Sequence, residues 1–159
     1  MQVSKLICNG EERIMKMNMD VMTIEEINLT AMEDVKMKTF DAFMEAFNTG
    51  NLSALDSICS PSIVDHTATV SRRLPYNFEA FKGRLYGYRV GMADLHYSII
   101  NIVAEGNWIA YQWEMTGTNT GPCLGRPASG NPVRITGMNL ERLENGKIVE
   151  HWSYPDRLV

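Results

Sequence analysis

The stretch VRITGMNLERLENGKIVEHW, residues 133–152, decides the fold. Val133 and Ile135 alternate with polar residues at its start, which is the period of a β-strand with one buried face. Asn145-Gly146 then separates this run from a second one opening at Ile148. An Asn-Gly pair between two such runs is typical of a two-residue hairpin turn, because both residues tolerate a positive φ. We therefore predict two antiparallel strands, the first ending near Leu143.

Two further strands are predicted upstream of this hairpin. Apolar and polar residues alternate over 95–99 and again over 109–115, with a turn at Glu105-Gly-Asn107 between them. A loop rich in Gly and Pro follows over 119–132. Strands that follow one another with short turns favour an antiparallel meander.

The first half of the chain has helical patterning. Thr30-Ala-Met-Glu33 is a capping box, and apolar residues at helical spacing continue from it to Gly50. A short helix over 52–58 and a third from about 77 to 91 complete the set. Helices first and strands after predict an α+β domain, with helices packed on one face of a curved antiparallel sheet around a pocket.

Residues 1–30 are predicted to be an N-terminal extension, and residues 31–159 a single domain. Met15, Met17, Met19 and Val21 alternate with polar residues, so the extension is predicted to contain a strand. A domain of this length buries a full hydrophobic core without cross-links.

Composition excludes several classes of function. The net charge of −4 and the absence of clustered Lys and Arg argue against a nucleic-acid partner. Cys8, Cys59 and Cys123 lie far apart with no C-x-x-C spacing, which predicts reduced thiols, no metal site and a cytoplasmic location. No apolar run approaches the roughly 18 residues that cross a membrane, and the N-terminus lacks the pattern of a signal peptide.

Several short motifs occur in the order and spacing of one family. Phe47-Asn-Thr-Gly-Asn51 and Val64-Asp-His66 come first, followed by Ala104-Glu-Gly106. Gly117-Thr-Asn-Thr-Gly121 and Gly146-Lys-Ile-Val-Glu-His-Trp152, with Asp156 four residues later, complete the series. Together they resemble the SnoaL-like polyketide cyclases, also called predicted ester cyclases. The resemblance implies the nuclear transport factor two-like fold, a cone-shaped α+β barrel with a deep pocket.

The resemblance also implies an activity and its residues. Family members close a ring of a polyketide by intramolecular aldol addition, with neither metal nor organic cofactor. The family's acid/base aspartate corresponds to Asp156, and His66 is the second catalytic candidate. Asn119 stands where relatives have a histidine, and an amide binds a carbonyl but does not exchange protons near neutral pH. His66 and Asn119 also have ordinary alternatives as cap and turn residues.

Four aromatic or imidazole side chains are further candidates for binding substrate. Tyr111 and Trp113 share one face of a strand, where core packing is the alternative role. His151 alternates with Glu150 and Trp152, so it is expected to point inward, and Trp152 is a candidate from the motif itself. The ligand is expected to be small and apolar or polyketide-like.

Alternative functions share the same architecture. The protein is expected to be either a cofactor-free cyclase or isomerase, a non-catalytic pocket protein, a structural dimer module, or a small epoxide or ester hydrolase. Fold alone does not separate them, since function depends on the site. An open sheet face also predicts a homo-oligomer, most simply a dimer.

Overall fold

The computed structural model describes residues 24–67, 77–123 and 127–156. A long helix comes first, followed by short helical turns, a strand, another helix and four strands. The elements are α1 (Ile24–Thr49), a 3-10 turn (Leu52–Ala54), α2 (Leu55–Ile58), β1 (Cys59–Asp65), α3 (Phe78–Gly91), β2 (His96–Glu105), β3 (Trp108–Thr118), β4 (Pro132–Glu144) and β5 (Lys147–Pro155).

The strands form one five-stranded sheet in the order β1-β5-β4-β3-β2. Consecutive strands from β2 to β5 pair antiparallel, as the hairpin pattern predicts. β1 was not predicted as a strand, and it pairs parallel to β5, so the sheet is mixed rather than wholly antiparallel. A parallel pair needs a long crossover connection, here provided by α3 and the meander between the two strands. The α+β class with a curved sheet and packed helices is confirmed.

The start of α1 differs from the prediction. The helix begins at Ile24, so the Thr30–Glu33 capping box lies inside it, and residues 24–30 are helical rather than part of an extended strand. The strand predicted over 15–21 lies outside the described residues. The predicted end is confirmed, because α1 stops at Thr49 and Gly50 has a φ of 77°.

The predicted hairpin turn and the predicted start of the third helix are both present. Asn145 and Gly146 have φ values of 51° and 72°, as a type I′ hairpin turn requires. Asn77 caps α3 by accepting a hydrogen bond of 3.0 Å on Oδ1 from the backbone N–H of Ala80. α3 therefore begins where the sequence predicts, with Phe81 and Leu85 facing the core.

The inner face of the sheet is covered by α1 and α3. Phe40, Phe43 and Phe47 of α1 are buried at this interface, one helical turn apart. Along β3 the alternating residues from Ile109 to Met115 are buried, as predicted. The same face of β4 and β5 also contains polar residues, and these define the candidate site. No helix among the described segments has the length and apolar character needed to cross a bilayer.

Candidate functional site

A hydrogen-bonded chain of polar side chains runs across the buried face of β3 and β4. The indole Nε1 of Trp113 donates to Asn139 Oδ1 at 2.7 Å, and Asn139 Nδ2 donates to the Tyr111 hydroxyl at 2.9 Å. That hydroxyl donates in turn to Glu141 Oε1 at 2.8 Å. Buried polar groups that satisfy one another in this way hold their side chains in a single arrangement.

The chain ends at His151 on β5. Its Nδ1 lies 3.3 Å from Glu141 Oε1, and both side chains are fully buried. Glu141 Oε2 and His151 Nε2 have no hydrogen-bond partner among the described residues. Most buried polar atoms in folded proteins are paired, so each unpaired one suggests a water, an ion or a functional role. Because Nδ1 is turned to the carboxylate, Nε2 is the ring nitrogen left for a ligand.

His151 lines a cavity between the sheet, α1 and α3. The cavity has a volume of about 20 Å³, which is enough for a water molecule. Aromatic and aliphatic side chains form most of the wall, and a few polar groups converge on it. The lining residues are Phe43, Phe47, Arg84, Leu85, Tyr88, Tyr97, Trp113, Met115, Asn139, His151 and Ser153.

An ion pair lies at the same cavity. Arg84 of α3 donates to Asp65 Oδ2 through Nε at 3.2 Å and Nη2 at 3.0 Å, and Thr67 donates to Oδ1. Burial of Asp65 opposes its ionisation, but Arg84, His151 and the Thr67 hydrogen bonds outweigh it and hold the pKa of Asp65 below its ordinary value. The interior therefore contains a fixed negative charge next to a fixed positive one.

Three tyrosines surround the polar groups. Burial raises the pKa of Tyr97 and Tyr111 well above the ordinary value, and Glu141 acts in the same direction. Burial also raises the pKa of Tyr88, although Arg84 opposes the change. All three phenols are therefore neutral hydrogen-bond donors near neutral pH.

Gly137 fixes the position of one cavity wall. A Cβ atom at this residue would lie 2.4 Å from Cζ2 of Trp113, so the indole packs directly on the backbone of β4. Trp113 also stacks on Tyr97, with ring centroids 5.2 Å apart. A larger residue at 137 would therefore have to displace the indole.

Three of the predicted site residues meet at this cavity. Trp113 and His151 line it, and Tyr111 lies behind them in the hydrogen-bonded chain. Asn119 is buried, but its side chain makes hydrogen bonds within its own loop. Nδ2 donates to the carbonyl of Gly121, and Oδ1 accepts from Ser129. Asn119 is not among the lining residues, which agrees with its alternative role in a turn.

The other predicted residues lie away from the described cavity. Asp156 is exposed just after β5 and accepts a hydrogen bond from the Thr136 hydroxyl. His66 stacks on Trp152 with centroids 4.4 Å apart and makes a 2.9 Å contact to Glu150, on the opposite face of β5 from His151. The hydrogen bond with His66, more than the nearby Arg142, holds the pKa of Glu150 below its ordinary value.

Sequence reasoning missed Asp65, Arg84, Asn139 and Glu141. One signal for two of them was present, because Asn139 and Glu141 continue the inward alternation of Ile135 and Gly137 along β4. Polar residues in phase with a buried face indicate an internal network rather than a solvated surface. Arg84 carries no such signal. Among residues 24–67, 77–123 and 127–156, no group of three or more His, Cys, Asp or Glu side chains is arranged to hold a metal ion.

Comparisons with known proteins agree with this architecture. The family model of the SnoaL-like polyketide cyclases matches residues 38–159. The aklanonic acid methyl ester cyclase DauD of Streptomyces sp. (strain C5) is 26% identical over 121 residues, which cover 72% of each chain. IdmH of Streptomyces antibioticus, a proposed polyketide cyclase, is 28% identical with a TM-score of 0.66, covering 76% of this chain and 91% of IdmH.

A more distant structure shares the fold only. AclR of Streptomyces galilaeus, a proposed hydroxylase, is 23% identical with a TM-score of 0.67 and covers 76% of this chain and 74% of its own. The resemblance seen in the sequence motifs is confirmed by the family match, which spans most of the chain. The chain therefore belongs to the SnoaL-like polyketide cyclase family.

Proposed function

We propose that this protein is a cofactor-free acid/base enzyme that closes a ring in, or isomerises, a small polyketide-like carbonyl compound. One observation carries the proposal: the buried His151 lines a cavity, its Nε2 has no hydrogen-bond partner in the part of the chain that the structure describes, and its Nδ1 faces the Glu141 carboxylate. DauD, a relative named as the cyclase of aklanonic acid methyl ester, supports the reaction class.

The proposed chemistry uses one proton and returns it. In this proposal Nδ1–H of neutral His151 donates to Glu141, which leaves a lone pair on Nε2. Nε2 removes a proton from carbon beside a carbonyl, and the enolate carbon then attacks a second carbonyl of the same molecule. The resulting alkoxide takes the proton back from Nε2. No electron acceptor enters, and holding both reacting ends in one cavity lowers the entropic barrier.

The size of the cavity limits how a substrate enters. Pockets for drug-sized ligands span about 300–1,000 Å³, whereas this cavity measures about 20 Å³. A ring-sized substrate therefore has to displace side chains of the wall. Tyr88, which is only partly buried, is the group best placed to move.

The decisive experiment compares His151→Gln with Asp156→Asn. Deuterium uptake into an activated ketone in heavy water, followed by NMR, reports proton abstraction directly. Loss of the acid/base group typically costs about 10²–10⁴ in rate, which we expect for His151→Gln. His96→Gln is the matched control, because His96 is exposed on β2. If Asp156→Asn loses the exchange and His151→Gln keeps it, the acid/base role belongs to Asp156, the residue that the family resemblance implies.

We further propose cofactor independence, a homodimer and a cytoplasmic location. Aldol closure needs only proton transfer and stabilisation of an oxyanion, and the cavity offers groups for both. Activity is accordingly expected to persist in EDTA, and loss in EDTA with recovery on adding zinc would refute this.

Free buried thiols at Cys59 and Cys123 support a reducing compartment. Exposed apolar side chains on the sheet support the dimer.

A further inference from the structure

Arg84 both pairs with Asp65 and lines the cavity. Its Nε and Nη2 both donate to the same oxygen of Asp65, so the guanidinium does not grip both carboxylate oxygens as a paired fork would. Asp65 is fully buried, whereas the Arg84 side chain keeps 15% of its surface exposed and lines the cavity. Arg84 therefore lines the cavity, whereas Asp65 does not.

Buried ion pairs often do no better than apolar residues of the same volume, because both charges lose their hydration. A guanidinium has five N–H donors, and Asp65 accepts from Nε and Nη2 alone. Arg84 lines the cavity, and its guanidinium carbon lies 5.5 Å from the centroid of the Phe81 ring.

A second donor lies next to the guanidinium. The Tyr88 hydroxyl interacts with Arg84, and burial raises the pKa of Tyr88, so the phenol keeps its proton near neutral pH. A positive charge and a neutral hydroxyl at one point of a water-poor cavity form an arrangement that stabilises a developing oxyanion. His151 lies on the wall of the same cavity, and it is the register partner of Asp65 in the pairing of β1 with β5.

We propose that Arg84 binds the substrate oxygen that becomes negative when His151 removes the adjacent proton, and that it selects acidic carbonyl compounds of the β-dicarbonyl type. This rests on the proposed function of the cavity. The proton passes from carbon to His151 Nε2, the electron pair of that C–H bond forms the C=C bond of the enolate, and the π pair of the carbonyl moves to its oxygen, where Arg84 stabilises the negative charge. Asp65 keeps the guanidinium in place, which makes it a positioning residue.

The test uses acetylacetone, whose enolate absorbs in the ultraviolet, as the probe. Titration of the folded protein measures the Kd of the enolate and the apparent pKa of the bound probe. The double variant Asp65→Asn/Arg84→Met removes both charges, so that no lone carboxylate stays buried. We expect it to weaken enolate binding at least tenfold and to abolish any lowering of the probe's pKa. Binding of 2-pentanone, which forms no stable enolate, should change less than twofold.

Lys82→Met is the matched control on the same helix. Lys82 pairs with the exposed Asp56 and does not line the cavity, so enolate binding should not change. Circular dichroism establishes folding, and Arg84→Lys replaces the double variant if that protein does not fold. It keeps a charge but loses the planar donors, and is expected to weaken enolate binding several-fold.

Separate readouts distinguish this inference from the proposed function. His151→Gln should lose deuterium exchange while still binding the enolate through Arg84. If enolate affinity stays within twofold of the parent in the folded Arg84 variants, Arg84 is not the oxyanion-binding residue, whatever happens to exchange. If exchange survives in His151→Gln while Arg84 variants lose enolate binding, only the base has been misassigned.

Discussion

Tyr111 connects the two halves of the buried polar network, because its hydroxyl accepts from Asn139 and donates to Glu141. Tyr111→Phe would leave Asn139 Nδ2 and one lone pair of Glu141 without this partner in the interior. An unsatisfied buried group costs about 1–3 kcal/mol, so we expect the free energy of unfolding to fall by that amount in urea. Tyr86→Phe, at a residue that is 62% exposed, should change it by less than about 0.5 kcal/mol. Equal effects would mean that the hydroxyl network contributes no stability.

Asp65 makes stability depend on pH in a defined direction. Its pKa is lower in the folded protein than the ordinary value of 3.8, so the unfolded chain binds a proton more readily than the folded one. The stabilisation is therefore complete above that value and is lost as the pH falls through the folded pKa. We expect the stability difference between the parent and Asp65→Asn, measured in urea from pH 7 to pH 2, to narrow below about pH 4. A constant difference over this range would contradict the prediction, and Asp41→Asn, on the exposed side of α1, is the control.

At the scale of elements, the β4–β5 hairpin depends on the backbone of its turn. Gly146 has a φ of 72°, and a Cβ there would lie 2.9 Å from Val35 Cγ1. We expect Gly146→Ala to lower the free energy of unfolding by about 1–2 kcal/mol, through strain in φ and the contact with α1. Gly87→Ala in α3 should instead raise it by about 0.5–1 kcal/mol, because nothing lies within 4 Å of the new methyl. Thermal unfolding of both variants would reveal the opposite signs, and two shifts of the same sign would refute this account.

The same elements explain what the sequence could predict. Turn and cap residues act on their neighbours in the chain, so the sequence alone predicted the hairpin at Asn145 and the start of α3 at Asn77. β1 was missed because its pairing with β5 depends on a strand more than eighty residues away. The inward direction of His151 followed from alternation. Glu141 is in phase with the buried face of β4, but a carboxylate is buried only where tertiary partners compensate, and the alternation does not reveal those partners.

At the scale of the whole molecule, the outer face of the sheet exposes apolar side chains, which support the proposal that it binds a second copy. Met138 and Tyr154 are register partners, each 57% exposed, and Trp108 is 40% exposed beside Trp152. Clustered exposed aromatic and aliphatic side chains commonly mark an interface. We expect light scattering at micromolar concentration to report twice 18.0 kDa.

Substitution at this face tests the dimer. Met138→Glu combined with Tyr154→Glu should shift the protein toward 18.0 kDa, because it places like charges in the predicted interface. Tyr86→Glu is the control, since Tyr86 is exposed on α3, on the other side of the sheet. A parent protein that already scatters as 18.0 kDa would refute the homodimer.

The parallel pairing of β1 with β5 sets the order in which a new chain can fold on the ribosome. β5 lies between β1 and β4 in the sheet, so β1 has no strand to pair with until synthesis has passed Pro155. At roughly 5–20 residues per second, the ribosome needs on the order of 5–20 s to make the chain between the two strands. Asp65 and His151 are register partners in that last pairing. The nascent chain must therefore keep the edge of β1 from other partners for several seconds, and the cavity lacks His151 until translation of β5 is complete.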